Sequence, residues 1–415
     1  MLKGIIFDMD GVLINSEPVH YRVWKQTLAA RGIELDYEIY KPCIGSTNGF
    51  LMDILHDNYE ISRDDEELVK TMKQIKEQVI KEEGFPMIEG VPQLLKRLKD
   101  GGYCLAIASS SPLSYIRQVV TTLGIDSYFD ILVSGEQVKN PKPAPDVFLE
   151  TAKQMGLDPE ECLILEDSAN GCRAAKAAGI VCIAYFNPDS GKQDLSSADM
   201  VIEGYEEIDT AFLEKVYCHG RHLPAVVCET ERLRIREMSE RDIPKMMEIT
   251  SQGTPDTAEG VEKSLEEELE AFPSYRKYMY EMCDMGYWVL EEKESGTIVG
   301  RAGVEPKIWN HNSSVVELGY LIDEKHRRKG FAYEACRGIL EEAKKRGAVY
   351  LYCRIRSANL ASKKLARKLG FSKIDYRLED DCEDMEVYKM CIRDRRGSAH
   401  GIHLRQSECD RFPWN

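Results

Sequence analysis

"FDMDGV", residues 7–12, follows directly on Gly4, Ile5 and Ile6 and closes that apolar run with two aspartates and a glycine. A strand that ends on Asp8 and Asp10 has two readings. One is an ordinary strand-to-turn exit, for which Asp-Gly is common chemistry. The other is a nucleophile that works beside a metal. The rest of the first half helps to choose. Further apolar runs, "CLAIA" (104–108), "CLIL" (162–165) and "VCIAYF" (181–186), alternate with helical patterns such as "VPQLLKRLKDGG" (91–102) and "SANGCRAAKAAG" (168–179), each closed by glycine. That alternation predicts a mostly parallel sheet wrapped by helices over residues 1–216.

Residues of about 15–84 break the rhythm with polar helical stretches such as "EELVKTMKQIKEQVIKEE" (66–83) and no strand-like run. An insertion directly after the first strand reads as a helical cap over the sheet's working edge. Residues 217–228, "YCHGRHLPAVVC", read as a linker. Beyond it "ERLRIRE" (231–237) alternates as a half-buried strand does, and "WVLEEKESGTIVGRAGV" (288–304) reads as a hairpin turning at Ser295-Gly296. "VVELGYLI" (315–322) is a further strand. After it Ala332, Ala335, Cys336, Ile339, Leu340 and Ala343 share one helical face. The second domain, 229–390, is therefore α+β. The tail 391–415 has neither period nor apolar clustering and is expected to contribute to neither fold, as a disordered or non-native extension.

The chain has 415 residues, 43% hydrophobic and 30% charged, which describes an ordinary folded protein with two domains. A net charge of −16 argues against a non-specific nucleic-acid binder, which needs a basic face. The 13 cysteines form no CxxC pair and read as reduced thiols, neither a disulfide framework nor a zinc site. Asp8 interrupts the first apolar run too early for a secretory signal, and no segment reaches the roughly 18–20 apolar residues of a membrane helix. A cytoplasmic protein with no membrane partner is the expectation.

The apolar runs of the first half end at Asp8, at Ser109 and at Glu166-Asp167, and ligands bind at the carboxyl ends of strands in such sheets. Phosphoryl transfer fits these termini. An aspartate can attack phosphorus only if its charge is kept from repelling the phosphate. Mg²⁺ shared by Asp8, the Asp10 carbonyl and Asp167 would achieve that. Asp10 would serve as acid and base, Ser109 and Lys142 would hold phosphoryl oxygens, and Gly11 would let the chain turn away. "DMDGV", "ASS", "NPKPAPDVF" and "LEDSANG" together resemble the four motifs of the haloacid dehalogenase (HAD) superfamily, in the flavour of its β-phosphoglucomutase-like group. The resemblance covers residues 1–216. It implies a Rossmann-like core with an inserted cap and Asp8 as nucleophile. It further implies Asp10 as acid/base, Ser109 and Lys142 on the phosphate, and Asp8, Asp10, Glu166 and Asp167 serving Mg²⁺. A histidine like His20 assists the acid/base aspartate in the mutases of that group. The mutases also hold a distal phosphate with an arginine where this chain has "GSTNGF" (45–50). Hydrolysis of a small phosphorylated metabolite, most simply a sugar phosphate, is therefore favoured over a mutase.

In the second half, "ELGYLIDEKHRRKGFAYEA" (317–335) runs from a strand through Arg327, Arg328, Lys329, Gly330, Phe331 and Ala332 into a helix. Backbone N–H groups at a helix start form an anion site that small residues let a pyrophosphate approach. This resembles the acetyl-coenzyme A signature of the GNAT N-acetyltransferases. "RSANLASKKLARKLGF" (356–371) is similar to that family's later helix, with Asn359 and Ser362 toward the cofactor, and "ETERLRIREMSERD" (229–242) to members that acetylate protein N-termini. The resemblance implies acetyl-CoA as cofactor and an amine acceptor, a small molecule or a protein N-terminus. Glu317 is the candidate base, working through water, with a buried salt bridge as its alternative. Where many members carry a tyrosine acid this chain has Ala366, leaving Ser362 as a substitute. The two halves together imply a bifunctional enzyme. One domain acting as a sensor for the other is the rival.

Overall fold

The computed structural model describes residues 1–44, 48–206, 208–252, 264–309, 313–346, 348–376 and 384–392. The chain divides into two compact units, Met1–His222 and Leu223–Asn415.

In the first unit six strands lie in the order β3-β2-β1-β4-β5-β6, all parallel. They are β1 (Gly4–Phe7), β2 (Cys104–Ser109), β3 (Ile131–Ser134), β4 (Cys162–Glu166), β5 (Val181–Tyr185) and β6 (Met200–Ile202). β1 is wholly buried, and Ile5 faces Leu105 on one side and Leu163 on the other. This matches the continuous apolar run of a strand covered on both faces. Register does the rest. Phe7 lies beside Ile107 and Leu165, and Ser109 beside Ser134, so the residues that follow each strand emerge along one edge. β3 and β6 were not anticipated, being runs of four and three residues that carry too few positions to show a period.

The regular elements of the described cap are all helical, chiefly Glu17–Ala29, Asn48–Tyr59 and Glu66–Glu83. Asp65 caps the last by accepting from the Leu68 N–H, and Gly84 ends it. The cap has its own apolar cluster, built on Trp24, Leu28, Leu35, Tyr40, Leu55 and Leu68.

The second unit holds an eight-stranded sheet, order β13-β14-β12-β11-β10-β9-β8-β7. The strands are β7 (Val226–Glu229), β8 (Leu233–Arg236), β9 (Gly286–Glu292), β10 (Ile298–Trp309), β11 (Ser313–Ile322), β12 (Tyr350–Arg356), β13 (Ser372–Ile374) and β14 (Met385–Cys391). The β9–β10 turn falls at Ser295-Gly296, as expected. β11 and β12 are the parallel pair, in register only at Glu317 and Tyr352, so beyond that pair the sheet parts. The helix Phe331–Lys345 buries Phe331, Ala335, Cys336, Ile339, Leu340 and Ala343 on the sheet.

Two boundaries differ from the sequence expectation. Residues 217–220 complete the helix Thr210–Gly220, in which Val216 and Tyr217 are buried, and Val226–Glu229 pairs with β8 as an edge strand. Only 221–225 is irregular. At the far end Cys391 closes β14, and Ile392 is buried and donates its N–H to the Val349 carbonyl at 3.0 Å. The first two residues expected in the tail thus belong to the fold, Cys391 exposed at the end of β14 and Ile392 buried, while 393–415 lie outside the described residues. Every described cysteine is a free thiol. No helix among the described residues is long and apolar enough to cross a membrane.

Candidate active sites

At the edge of the parallel sheet Lys142 ties the strand exits together. Its Nζ donates to Asp8 Oδ1 at 2.6 Å, to Glu166 Oε1 at 2.7 Å and to the Ala108 carbonyl at 3.3 Å. All three ionic side chains are nearly inaccessible, with exposures of 6% for Lys142, 9% for Asp8 and 1% for Glu166. Desolvation this complete favours neutral forms, and with Glu166 and Asp10 nearby it pushes Asp8 up to about 7 despite Lys142. Asp167 is also raised well above the carboxylate range, by burial and then by Glu166 and Asp8. Burial opposes the charge on Lys142, yet Asp8 and Glu166 outweigh it and raise the ammonium's pKa.

Asp10 sits beyond the strand end, its Oδ2 accepting from Ser111 Oγ at 2.8 Å. Its Oδ1 is buried with no hydrogen-bond partner. Ser109, 1% exposed at the end of β2, accepts the Ser111 N–H at 3.0 Å. The cap adds His20 and Lys76. Burial and then Lys76 lower the His20 pKa, partly offset by Asp10, and Lys76 stands 4.3 Å over the Tyr115 ring. Asp8, Asp10, Ser109, Lys142, Glu166 and Asp167 therefore share one edge. The comparison with "GSTNGF" falls at 45–47, outside the described residues.

Glu166 accepts from protein donors on both oxygens. One oxygen holds Lys142. The other accepts from the Asp167 N–H at 2.7 Å, the Ser168 N–H at 2.8 Å and Ser168 Oγ at 3.0 Å. Glu166 thereby positions Lys142 and the turn. The remaining carboxylates suit Mg²⁺. Asp8, Asp10 and Asp167 outnumber the positive charge, and an orphaned buried oxygen stands among them. Among the described residues no three side chains of metal-binding type converge on one point.

Gly11 has φ +83°, and a methyl group built on it would overlap the Asp167 carboxylate. Gly11→Ala is expected to displace Asp167 and to destabilise the protein by more than about 1 kcal/mol, since alanine resists that backbone conformation. Thermal unfolding with and without Mg²⁺ checks it. An unchanged midpoint and unchanged cation response would refute the close approach.

The second site lies where β11 and β12 part. Glu317 accepts Arg354 Nε on both oxygens, at 3.0 and 3.1 Å, the ion pair weighed above as its alternative role. Burial raises its pKa, with Arg354 opposing. Three residues on, Tyr320 Oη donates to Ser362 Oγ at 2.8 Å, bridging β11 to the helix Leu360–Leu369. Ala366 is core. Asn359 caps that helix, its Oδ1 accepting the Ser362 N–H at 3.0 Å, so this atom is committed to the fold rather than to a cofactor.

Gly330 is the N-cap of the helix Phe331–Lys345, at φ +88° and with no side-chain cap. Ala332 follows it half-buried, while Arg328 and Lys329 are exposed. Two residues of the basic stretch are otherwise employed. Arg327 donates to the carbonyls of Ile322 and Gln252 at 3.1 and 3.4 Å, and Phe331 is 3% exposed beneath the Arg232 guanidinium at 4.4 Å. Phe331 is thus a packing residue. Sequence patterns gave no warning of Lys76, Ser190, Arg232, Tyr320 or Arg354, which carry no motif. Ser111 had one, the run of serines at 109–111.

Residues 5–185 match the haloacid dehalogenase-like hydrolase family model, and residues 232–372 match the acetyltransferase (GNAT) domain. A phosphorylated carbohydrates phosphatase of Thermotoga maritima is 30% identical over 50% of this chain and 96% of its own. Hexitol phosphatase B of Escherichia coli is 33% identical over 46% of this chain and 86% of its own. Among solved structures, CbbY from Rhodobacter sphaeroides in complex with phosphate is 26% identical, with a TM-score of 0.43 over 50% of this chain and 96% of that one.

Proposed function

The chain belongs to the haloacid dehalogenase-like hydrolases and carries a GNAT acetyltransferase domain as its second half, and on that premise we propose a bifunctional enzyme. The first half is a Mg²⁺-dependent phosphatase of a small phosphorylated metabolite, most simply a sugar or sugar-alcohol phosphate. The second is an acetyl-CoA-dependent N-acetyltransferase. The observation that carries the first reading is Lys142 bridging Asp8 and Glu166 at the strand edge where Ser111 holds Asp10.

Asp8 attacks phosphorus through its second oxygen while Lys142 holds the first. The bond to the leaving oxygen breaks, and protonated Asp10 gives that oxygen its proton. Asp10, now a carboxylate, takes a proton from water, which attacks the aspartyl-phosphate and frees Asp8 and inorganic phosphate. Ser109 and Lys142 hold the phosphoryl oxygens. Asp8, the Asp10 carbonyl and Asp167 would hold Mg²⁺, which would supply the charge that lets one anion approach another. "GSTNGF" lacks the arginine with which mutases hold a second phosphate, which favours water as acceptor.

In the second half acetyl-CoA supplies the activated acyl group. Glu317 accepts the amine's proton through water. The Ser362 hydroxyl, hydrogen-bonded to Tyr320 Oη at 2.8 Å, would supply the proton for the departing thiolate. The amides at Gly330–Ala332, with Arg328 and Lys329, would hold the pyrophosphate.

A panel of sugar and hexitol phosphates with Mg²⁺, read as inorganic phosphate, tests the first reading. A panel of amines and N-terminal peptides with acetyl-CoA, read as free thiol, tests the second. Isomerised product from a bisphosphate-primed reaction, without free phosphate, would replace hydrolase by mutase. Binding of acetyl-CoA without turnover on any amine would make that half a sensor.

The titration of the site gives a further expectation. Asp8 and Asp167 have folded-state pKa values raised above their unfolded ones. Without cation the native state therefore holds protons that the unfolded chain releases, and this contribution to stability falls as pH rises from about 4 toward about 7. Mg²⁺ competes with those protons, so its stabilising effect should grow from pH 5 to pH 8. At a concentration 100 times its dissociation constant the gain is about 2.7 kcal/mol. Thermal melts with Mg²⁺ or EDTA across that range measure it, and a Mg²⁺ shift independent of pH would contradict it.

A further inference from the structure

The turn after β5 is not among the four motifs, yet it reaches two of them. Ser190, 5% exposed, donates its Oγ to Asp167 Oδ2 at 2.6 Å. Its neighbour Asn187 donates Nδ2 to the Gly11 carbonyl at 3.3 Å, and Asn15 donates to Asp189 Oδ2 at 2.6 Å. The turn is braced from behind as well. Gln193 donates to the Ser190 carbonyl at 2.9 Å and accepts the Ala169 N–H at 3.0 Å, which links it to the helix that starts after Asp167. Asp167 is therefore confined on two sides, by a hydroxyl on Oδ2 and by the close backbone of Gly11.

We infer that Ser190 is a positioning residue of the cation site, turning Asp167 so that Oδ2 is held by the protein and Oδ1 is left for the ion. The inference rests on the Mg²⁺ reading of the first half and adds to it a residue outside the motifs. A buried carboxylate needs such a partner. Without the hydroxyl, Asp167 could rotate and spend both oxygens away from the ion, so a preformed ligand would become one that must be ordered on binding. Partners of this kind typically contribute 10–100-fold in metal affinity, as an order of magnitude.

The test is isothermal titration of the full chain with Mn²⁺. Ser190→Ala should weaken binding by about 10–100-fold, and Ser190→Thr, which keeps a hydroxyl, should restore most of it. A purely architectural role for the turn would not produce that rescue. Ser190→Ala binding Mn²⁺ as tightly as the unchanged chain would overturn the inference while leaving the metal site in place. Should Ser190→Ala not fold, Ser190→Cys replaces it under the same criterion. Asp167→Asn separates the two levels. If it binds Mn²⁺ as well as the unchanged chain does, the metal reading itself fails, and the role of Ser190 with it.

Discussion

Asp8→Asn is expected to abolish phosphate release, by on the order of 10⁴-fold or more, and to leave acetyl transfer untouched. The substitution is nearly isosteric, so its effect is chemical. An amide oxygen is a poor nucleophile toward phosphorus and forms no stable acyl phosphate. Lys142 keeps Glu166 as a partner in the variant, which limits the structural cost. Acetyl transfer is the internal control, because its groups belong to the other compact unit. Phosphate release within tenfold of the unchanged enzyme would remove Asp8 from the nucleophile's role. Loss of both activities would mean that the variant had failed to fold.

Lys142→Met should destabilise the first unit by about 3–5 kcal/mol, the usual consequence of removing one partner from a buried ion pair. It should also end phosphatase activity. The size follows from burial. Asp8, Glu166 and Lys142 have almost no contact with solvent, so water cannot replace the lost ammonium. The two carboxylates would then face each other alone. The penalty carries a sign in pH. Loss of the ammonium removes what holds the Asp8 pKa down, protonation of Asp8 relieves the repulsion, and the destabilisation should be smaller at pH 5 than at pH 8. Urea unfolding without divalent cation at both pH values measures it. A loss below about 1 kcal/mol at pH 8 would show that the bridge is not the organiser of the site.

How much of this was legible depended on where the information lay along the chain. Asp8, Asp10 and Asp167 could be read because each follows its strand within three residues, and a parallel sheet delivers strand ends to one edge. Gly330 and Ala332 could be read for the same reason, since a helix start is a local event. Glu166 was legible as a site residue but not in its role. Its two oxygens accept from Lys142, 24 positions away, and from the turn that follows it, partners the motif does not record. Phe331 looked like part of a cofactor loop because its neighbours are cationic, and packing claimed it for the core instead. The strand Tyr350–Arg356, which brings Arg354 to Glu317, buries Leu351, Cys353 and Ile355 in alternation. Its other residues are tyrosine and arginine, as compatible with a helix flank as with a strand, so it was not anticipated.

The amino-acid order by itself determined the two folds and the hydrolase and acetyltransferase classes of the two halves, and it carries the proposal of Asp8 as nucleophile. These rest on period, strand termini and turn residues that act within a few positions of one another. Only the tertiary structure decided which groups stand guard around them. Lys142 meets Asp8 across 134 positions, Ser190 meets Asp167 across 23, and Tyr320 meets Ser362 across 42. Such pairs form because packing brings their elements together, and a buried charge or hydroxyl then takes whatever partner lies within reach. Nothing in the local sequence records that choice.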